Sequence, residues 1–225
     1  MAFKTLVFDP PTVTDVDGNL YHSIIIGSQT WMVENLKTTK YRNGDIIGTT
    51  NSLNTDLTYA TTPEYQWAYN GMESNVPTYG RLYTWYVIAD SRNIAPAGWH
   101  VASDAEWLVL QNYLIANGYN YDKTTIDNKI GKSLCTTSLW NNSYISGTPG
   151  NNLTQNNSSG FSMVAGGYRG FDGYFYILGN GTDIWTSTES STLLANVRGC
   201  GYADVNLGSN IRSKNYGFSV RCLKD

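Results

Sequence analysis

Charge is scarce in this chain: Asp, Glu, Lys and Arg make up only 15% of 225 residues, and the net charge is -3. So few cations form no basic stripe, which argues against nucleic-acid binding as the main function. Histidine is rarer still, with only His22 and His100, and there is no C-x-x-C. A multi-histidine zinc site is therefore excluded. No G-x-S-x-G elbow supports a Ser-His-Asp nucleophile in this Ser-rich chain. No apolar run approaches the length of a membrane span. The opening MAFKTLVFDPPTVTD lacks an apolar h-region, a small-residue cleavage site and a lipobox cysteine, so no signal peptide is expected as written. Cysteine is limited to Cys135, Cys200 and Cys222, so at least one stays unpaired within the chain.

What is present is aromatic and polar without charge. Aromatics reach 13%, with 17 Tyr and 7 Trp, and Asn, Ser, Thr and Gly supply the polarity. That composition can order a chain and predicts a β-rich, loop-rich globular protein. DVDGNLYHSIIIGSQTWMVENLK reads as a hairpin turning at Asp17-Gly18, with a second reversal at Gly27-Ser28. Asp15, Asp17 and Asn19 imitate the start of a calcium loop. Ile26 stands where the closing glutamate belongs, so the motif reads as turn chemistry. Residues 41–91 carry Gly, Asn and Pro punctuation and read as long loops, more ordered from Tyr79 to Ile88.

The clearest local signal is GWHVASDAEWLVLQNYLIANGYN. Ser103 and Glu106 form a capping box, and Trp107, Leu110 and Leu114 make an apolar stripe that Gly118 ends. A second helix is expected from Thr125, with Ile126, Ile130 and Leu134 on one side, although Gly131 weakens it. After Trp140 an Asn/Ser/Gly/Thr segment reads as loop. Short strands then follow, bounded by Gly or Asn-Gly, and predict a small antiparallel sheet. Trp99, Trp107 and Trp185 are expected in the core. The closing GFSVRCLKD alternates, with Phe218, Val220 and Cys222 on one face.

GWHVASDAEW, IGKSLCTTSLW, SSGFSMVAGGYRG, IWTSTES and GFSVRCLKD follow one another in that order. With the opening DVDGNLYHSIIIGSQTWMVENLK and the central YGRLYTWY, they resemble the Fibrobacter succinogenes major paralogous domain family over most of the chain. The resemblance implies a C-type-lectin-like α+β fold: two helices packed on a twisted antiparallel sheet with long irregular loops. It implies one domain over 14–225 after an N-terminal extension at 1–13, with the first hairpin joined to the last strand. Family members carry a cysteine just before the segment that here reads Pro96-Ala97-Gly98-Trp99-His100. This chain has Ala95 there, so Cys222 is expected to lack its partner, and three buried thiols are expected overall. A shed disulfide and no leader fit folding in a reducing cytosol, as for a bacteriophage structural protein.

Enzymatic readings find little to stand on. His100 precedes the helix cap and reads as a packed, hydrogen-bonded residue. Asp172, Asp183, Glu189 and Asp204 are available for glycoside hydrolysis, but nothing in the sequence singles out a pair. The three cysteines match no pattern of the sulfatase-modifying enzymes of that fold group. C-type-lectin-like domains present ligand contacts from the C-terminal sheet and its loops, a region here rich in Tyr and Asn, residues suited to recognition surfaces. The expected contacts are Tyr174, Tyr176, Asn196, Arg198, Tyr202, Asp204, Asn206 and Arg212. The E-P-N loop and W-N-D strand of calcium lectins are absent, so no metal or other cofactor is expected. The expected function is non-enzymatic recognition of a bacterial surface glycan or protein, on a virion or cell surface. The alternative is a structural decoration or fibre subunit that binds its neighbours.

Overall fold

The computed structural model describes residues 13–225, and the described chain opens with two hairpins. Strand β1 (Val13–Thr14) pairs antiparallel with β2 (Leu20–Tyr21), and β3 (Ser23–Ile26) with β4 (Gln29–Met32). The Asp15 carboxylate accepts hydrogen bonds from the amides of Asp17 and Asn19, from Asn19 Nδ2, and from the Tyr21 hydroxyl at 2.6 Å. The Asp-x-Asp-x-Asn motif is thus occupied in shaping the turn, as the sequence predicts, and Gly18 supplies the left-handed residue at φ +85°. The expected extension at 1–13 lies outside the described residues except for Val13, which already belongs to β1.

The middle of the chain holds β5 (Gln66–Trp67), α1 (Val76–Tyr79), β6 (Leu82–Tyr83) and α2 (Trp85–Ala89), with β5 and β6 antiparallel. Strand β7 (Trp99–Val101) leads into α3 (Asp104–Ala116), which begins at the expected capping box: Ser103 Oγ accepts from the Glu106 amide, and the Glu106 carboxylate accepts from the Ser103 amide. Trp107, Leu110 and Leu114 are fully buried, and Gly118 turns the chain at φ +73°. Among the described residues no helix is long and apolar enough to cross a membrane.

The second helix is shorter than its periodicity predicts. Only α4 (Gly131–Leu134) forms, while Ile126 is 67% exposed. Lys123 and Asp127 adopt positive φ, which breaks a helix there. The buried Asn120 amide instead donates to the carbonyls of Thr124, Ile126 and Asp127, holding 120–129 as a loop. Apolar spacing identified Ile130 and Leu134 as buried but could not register that competing network.

A short hairpin, β8 (Tyr168–Arg169) and β9 (Phe175–Tyr176), precedes the longest strands, β10 (Gly181–Glu189), β11 (Leu194–Gly201) and β12 (Gly208–Ser213). With β13 (Ser219–Val220) they form a four-stranded sheet ordered β12-β11-β10-β13. Strand β14 (Cys222–Lys224) enters a second sheet ordered β3-β4-β14-β7. The second hairpin, rather than the first, therefore meets the last strand, Trp31 opposite Leu223. The architecture is α+β and mostly sheet, with two departures from expectation: β13 runs parallel to β10, and one long helix stands with three short ones.

The sheets lie between two hydrophobic cores. Trp99, Trp185, Val197, Phe218, Val220 and Cys222 belong to the first. Trp31, Trp107, Leu134, Phe161, Ile184, Cys200 and Leu223 belong to the second. Neighbouring residues 184/185 and 222/223 enter opposite cores, as a period of two requires. Ser219, Arg221 and Leu223, on the other face of the closing run, are consequently buried too. All three cysteines are free and buried. Ala95 is buried in the same core as Cys222. Cys135 and Cys200 interact across the second core, a proximity invisible in the sequence, and burial pushes the Cys135 thiol well up.

Candidate functional site

Register builds the site. Strands β10, β11 and β12 place Asp183 opposite Gly199 and Gly199 opposite Gly208, so the three share one face. Asn210 and Arg212 follow at alternate positions of β12 on that face. Beyond the Trp185 and Val197 side chains, glycines replace large residues and the face opens into a cleft of about 740 Å³. Tyr168, Asn180, Thr182 and Tyr202 complete its walls with Asp204 and Asn206.

The glycines are required by close approach. A Cβ on Gly199 would stand 2.2 Å from the Thr182 carbonyl and 2.5 Å from Asp183 Oδ1. One on Gly201 would stand 2.3 Å from Asp204 Oδ2. Both carboxylates therefore lie over the floor of β11. Burial pushes the Asp183 carboxyl up from its ordinary value, and Arg212, with Nε 3.5 Å away, only partly opposes this. The Thr182 side chain alternates to the opposite face, toward Cys200 of the second core, and its hydroxyl is buried there without a hydrogen-bond partner.

The turn from β11 to β12 is rigidly held. The Tyr202 amide donates to the Asn180 carbonyl, and the Tyr202 carbonyl accepts from Gly150, both at 2.8 Å. Gly131 donates to the Val205 carbonyl, and the Asn128 side chain bonds both backbone groups of Leu207. Helix α4 and the Asn-rich segment thus position this turn without entering the cleft.

Of the eight expected contacts, Tyr202, Asp204, Asn206 and Arg212 meet in this cleft. Tyr174, 57% exposed, sits on the β8–β9 hairpin beside it. Tyr176 packs against the cleft residue Tyr168 with ring centroids 5.3 Å apart and donates its hydroxyl to Asp172. Asn196 and Arg198 project from the opposite face of β11. Arg198 is buried and clasps both Asp104 oxygens at the start of α3, at 2.7 and 2.9 Å. The sequence reading treated every polar residue of the β11 run alike, whereas alternation assigns even-numbered positions to the helix side. Tyr168, Asn180, Thr182 and Asn210 were missed. The spacing Gly199-Cys200-Gly201, opposed by Gly208, was the available signal for an open sheet face.

Chemically the cleft is amphoteric, combining Asp183, Asp204 and Arg212 with three amides and two phenols. Among the described residues no three His, Cys, Asp or Glu side chains converge to hold a metal ion. The arrangement offers a dense set of donors and acceptors beside aromatic edges, which suits a polyhydroxylated or peptide-like ligand.

A mixed α+β chain with these motifs in order has a place among known families. The profile of the Fibrobacter succinogenes major domain family matches residues 24–224, and the chain belongs to that family. No curated protein and no solved structure matches it.

Proposed function

We propose that this chain is a non-enzymatic recognition module of C-type-lectin-like fold, carried on a phage particle or bacterial surface. Its ligand is a glycan or protein on a bacterial cell, bound in the β10–β12 cleft. The observation that carries the reading is the cleft itself, a glycine-floored depression walled by Asp183, Asp204, Arg212, Asn206, Tyr168 and Tyr202. The Asp183–Arg212 ion pair engages the one shifted carboxyl, which favours binding over proton transfer. Recognition is independent of calcium. The test is a panel of bacterial surface polysaccharides offered to the purified chain with and without a chelator. Saturable binding, unchanged by the chelator and reduced at least about tenfold by Tyr202→Ala/Asn206→Ala, is the expected outcome. Chelator-sensitive binding, or binding of a neutral polysaccharide that survives the double substitution, would refute it.

A second reading rests on a separate observation. Strand β12 is a sheet edge, and Leu193, Leu194 and Ile211 are exposed near it. An open apolar edge suits pairing with a neighbouring subunit in a fibre or capsid decoration. Concentration-dependent self-association, abolished by Ile211→Lys and unaccompanied by glycan binding, would favour that reading.

A further inference from the structure

A second cavity, of about 820 Å³, lies outside the sheet cleft and differs from it in charge. Its walls are the loop after α3, helix α4 and the Asn-rich segment near 146–158. Lys123 and Lys132 line it, and no carboxylate does. Lys132 is buried, and its ammonium faces only oxygens of uncharged groups: the carbonyls of Thr148, Asn151 and Asn152, and Asn156 Oδ1 at 2.8 Å. A buried cation compensated by dipoles alone leaves a positive field in the adjoining space.

The remaining lining is aromatic and polar without charge. Tyr121 rests on Gly147, where a Cβ would fall 2.4 Å from its ring, and it stays 40% exposed. Tyr119, Tyr121 and Gln155 line the cavity. The walls are fixed from behind. Asn156 donates to the carbonyls of Thr136 and Pro149, and Asn120 holds the loop that carries Tyr119 and Tyr121. The two cavities adjoin: Gly150 bonds Tyr202 of the cleft, while Asn151 lines the second cavity.

We propose that this cavity binds an acidic saccharide, a hexuronate unit of a polysaccharide. Tyr121 covers one face of the sugar, Gln155 and the phenols bond its hydroxyls, and the lysine field selects its carboxylate. The assignment stands independently of the sheet cleft. It is tested by calorimetric titration of the full chain with an oligogalacturonate, a neutral glucose oligomer of equal length, and sodium acetate. Saturable binding of the oligogalacturonate alone, weakening as salt is raised, is expected. Tyr121→Ala/Lys123→Ala and the milder Gln155→Ala should each weaken it, the first by at least about tenfold. Tyr202→Ala/Asn206→Ala should leave it unchanged. Equal binding of the neutral oligomer, binding of acetate alone, no binding at all, or loss confined to the Tyr202/Asn206 variant would each overturn the proposal.

Discussion

Two arginines do much of the work that regular structure leaves undone. Arg169 is fully buried over the Trp67 ring and donates to the carbonyls of Leu53 and Thr55, which fastens the central loop to β8. Arg221 is fully buried over Phe161 and donates to the carbonyls of Phe161 and Ser162 and to Asn35 Oδ1. Burial lowers the Arg221 guanidinium to about 10, so it stays charged at neutral pH. Its planar fork reaches oxygens from two separate segments, which a lysine ammonium cannot do from one point. Arg221→Ala strands those acceptors and opens a void, and it should cost about 3 kcal/mol or more in urea unfolding. Arg221→Lys should recover little of that loss. A cost below about 1 kcal/mol for the alanine variant would contradict this role.

At the scale of elements, the start of α3 is a junction rather than a simple cap. His100 on β7 bonds Asp225 through Nδ1 at 2.7 Å and Glu106 through Nε2 at 2.9 Å. Burial alone would lower the imidazole, but the two carboxylates outweigh it and raise it above 6.5. For Glu106, burial would raise the carboxyl, yet its bonds to Ser103 and His100 bring it below 4.5. The signs differ. The histidine's contribution is complete below 6.5 and is lost as pH rises through its shifted value. The glutamate's is complete above 4.5 and is lost as pH falls through its lowered one. Stability should therefore peak between the two, and His100→Gln should flatten the alkaline decline in a series of thermal melts. A decline of unchanged slope in that variant would assign it to another group. The effect is modest, because both side chains are about one-third exposed.

These elements also show which parts of the structure the sequence could declare. Helix α3 was legible because Ser103, Glu106, Trp107 and Gly118 specify its start, face and end locally. Residues 120–129 were not, because Asn120 organises them through bonds that apolar periodicity does not register. The site was half legible for a similar reason. Tyr202, Asp204 and Asn206 belong to one continuous turn, and Arg212 follows on the next strand. Thr182 and Asn180 arrive from β10 and the turn before it, and only the strand register brings them alongside. Arg198 reads as an isolated surface charge until α3 supplies Asp104 as its partner.

At the scale of the molecule, two cores and two four-stranded sheets form a frame on which long loops are pinned by single side chains. Asn215 bonds the carbonyls of Leu57 and Ala60, as Arg169 bonds those of Leu53 and Thr55. Rigid loops suit recognition, because less ordering is required on binding. The two cavities differ in charge, and the hydrogen bond from Gly150 to Tyr202 links their walls. The most direct measurement is the binding of the fluorescently labelled chain to intact bacterial cells, compared among the wild type, Tyr202→Ala/Asn206→Ala and the remote surface substitution Tyr59→Ala. The account predicts saturable labelling that the double substitution abolishes and Tyr59→Ala leaves intact. Labelling unaffected by the double substitution would contradict it, as would a chain that labels no cells and only associates with itself.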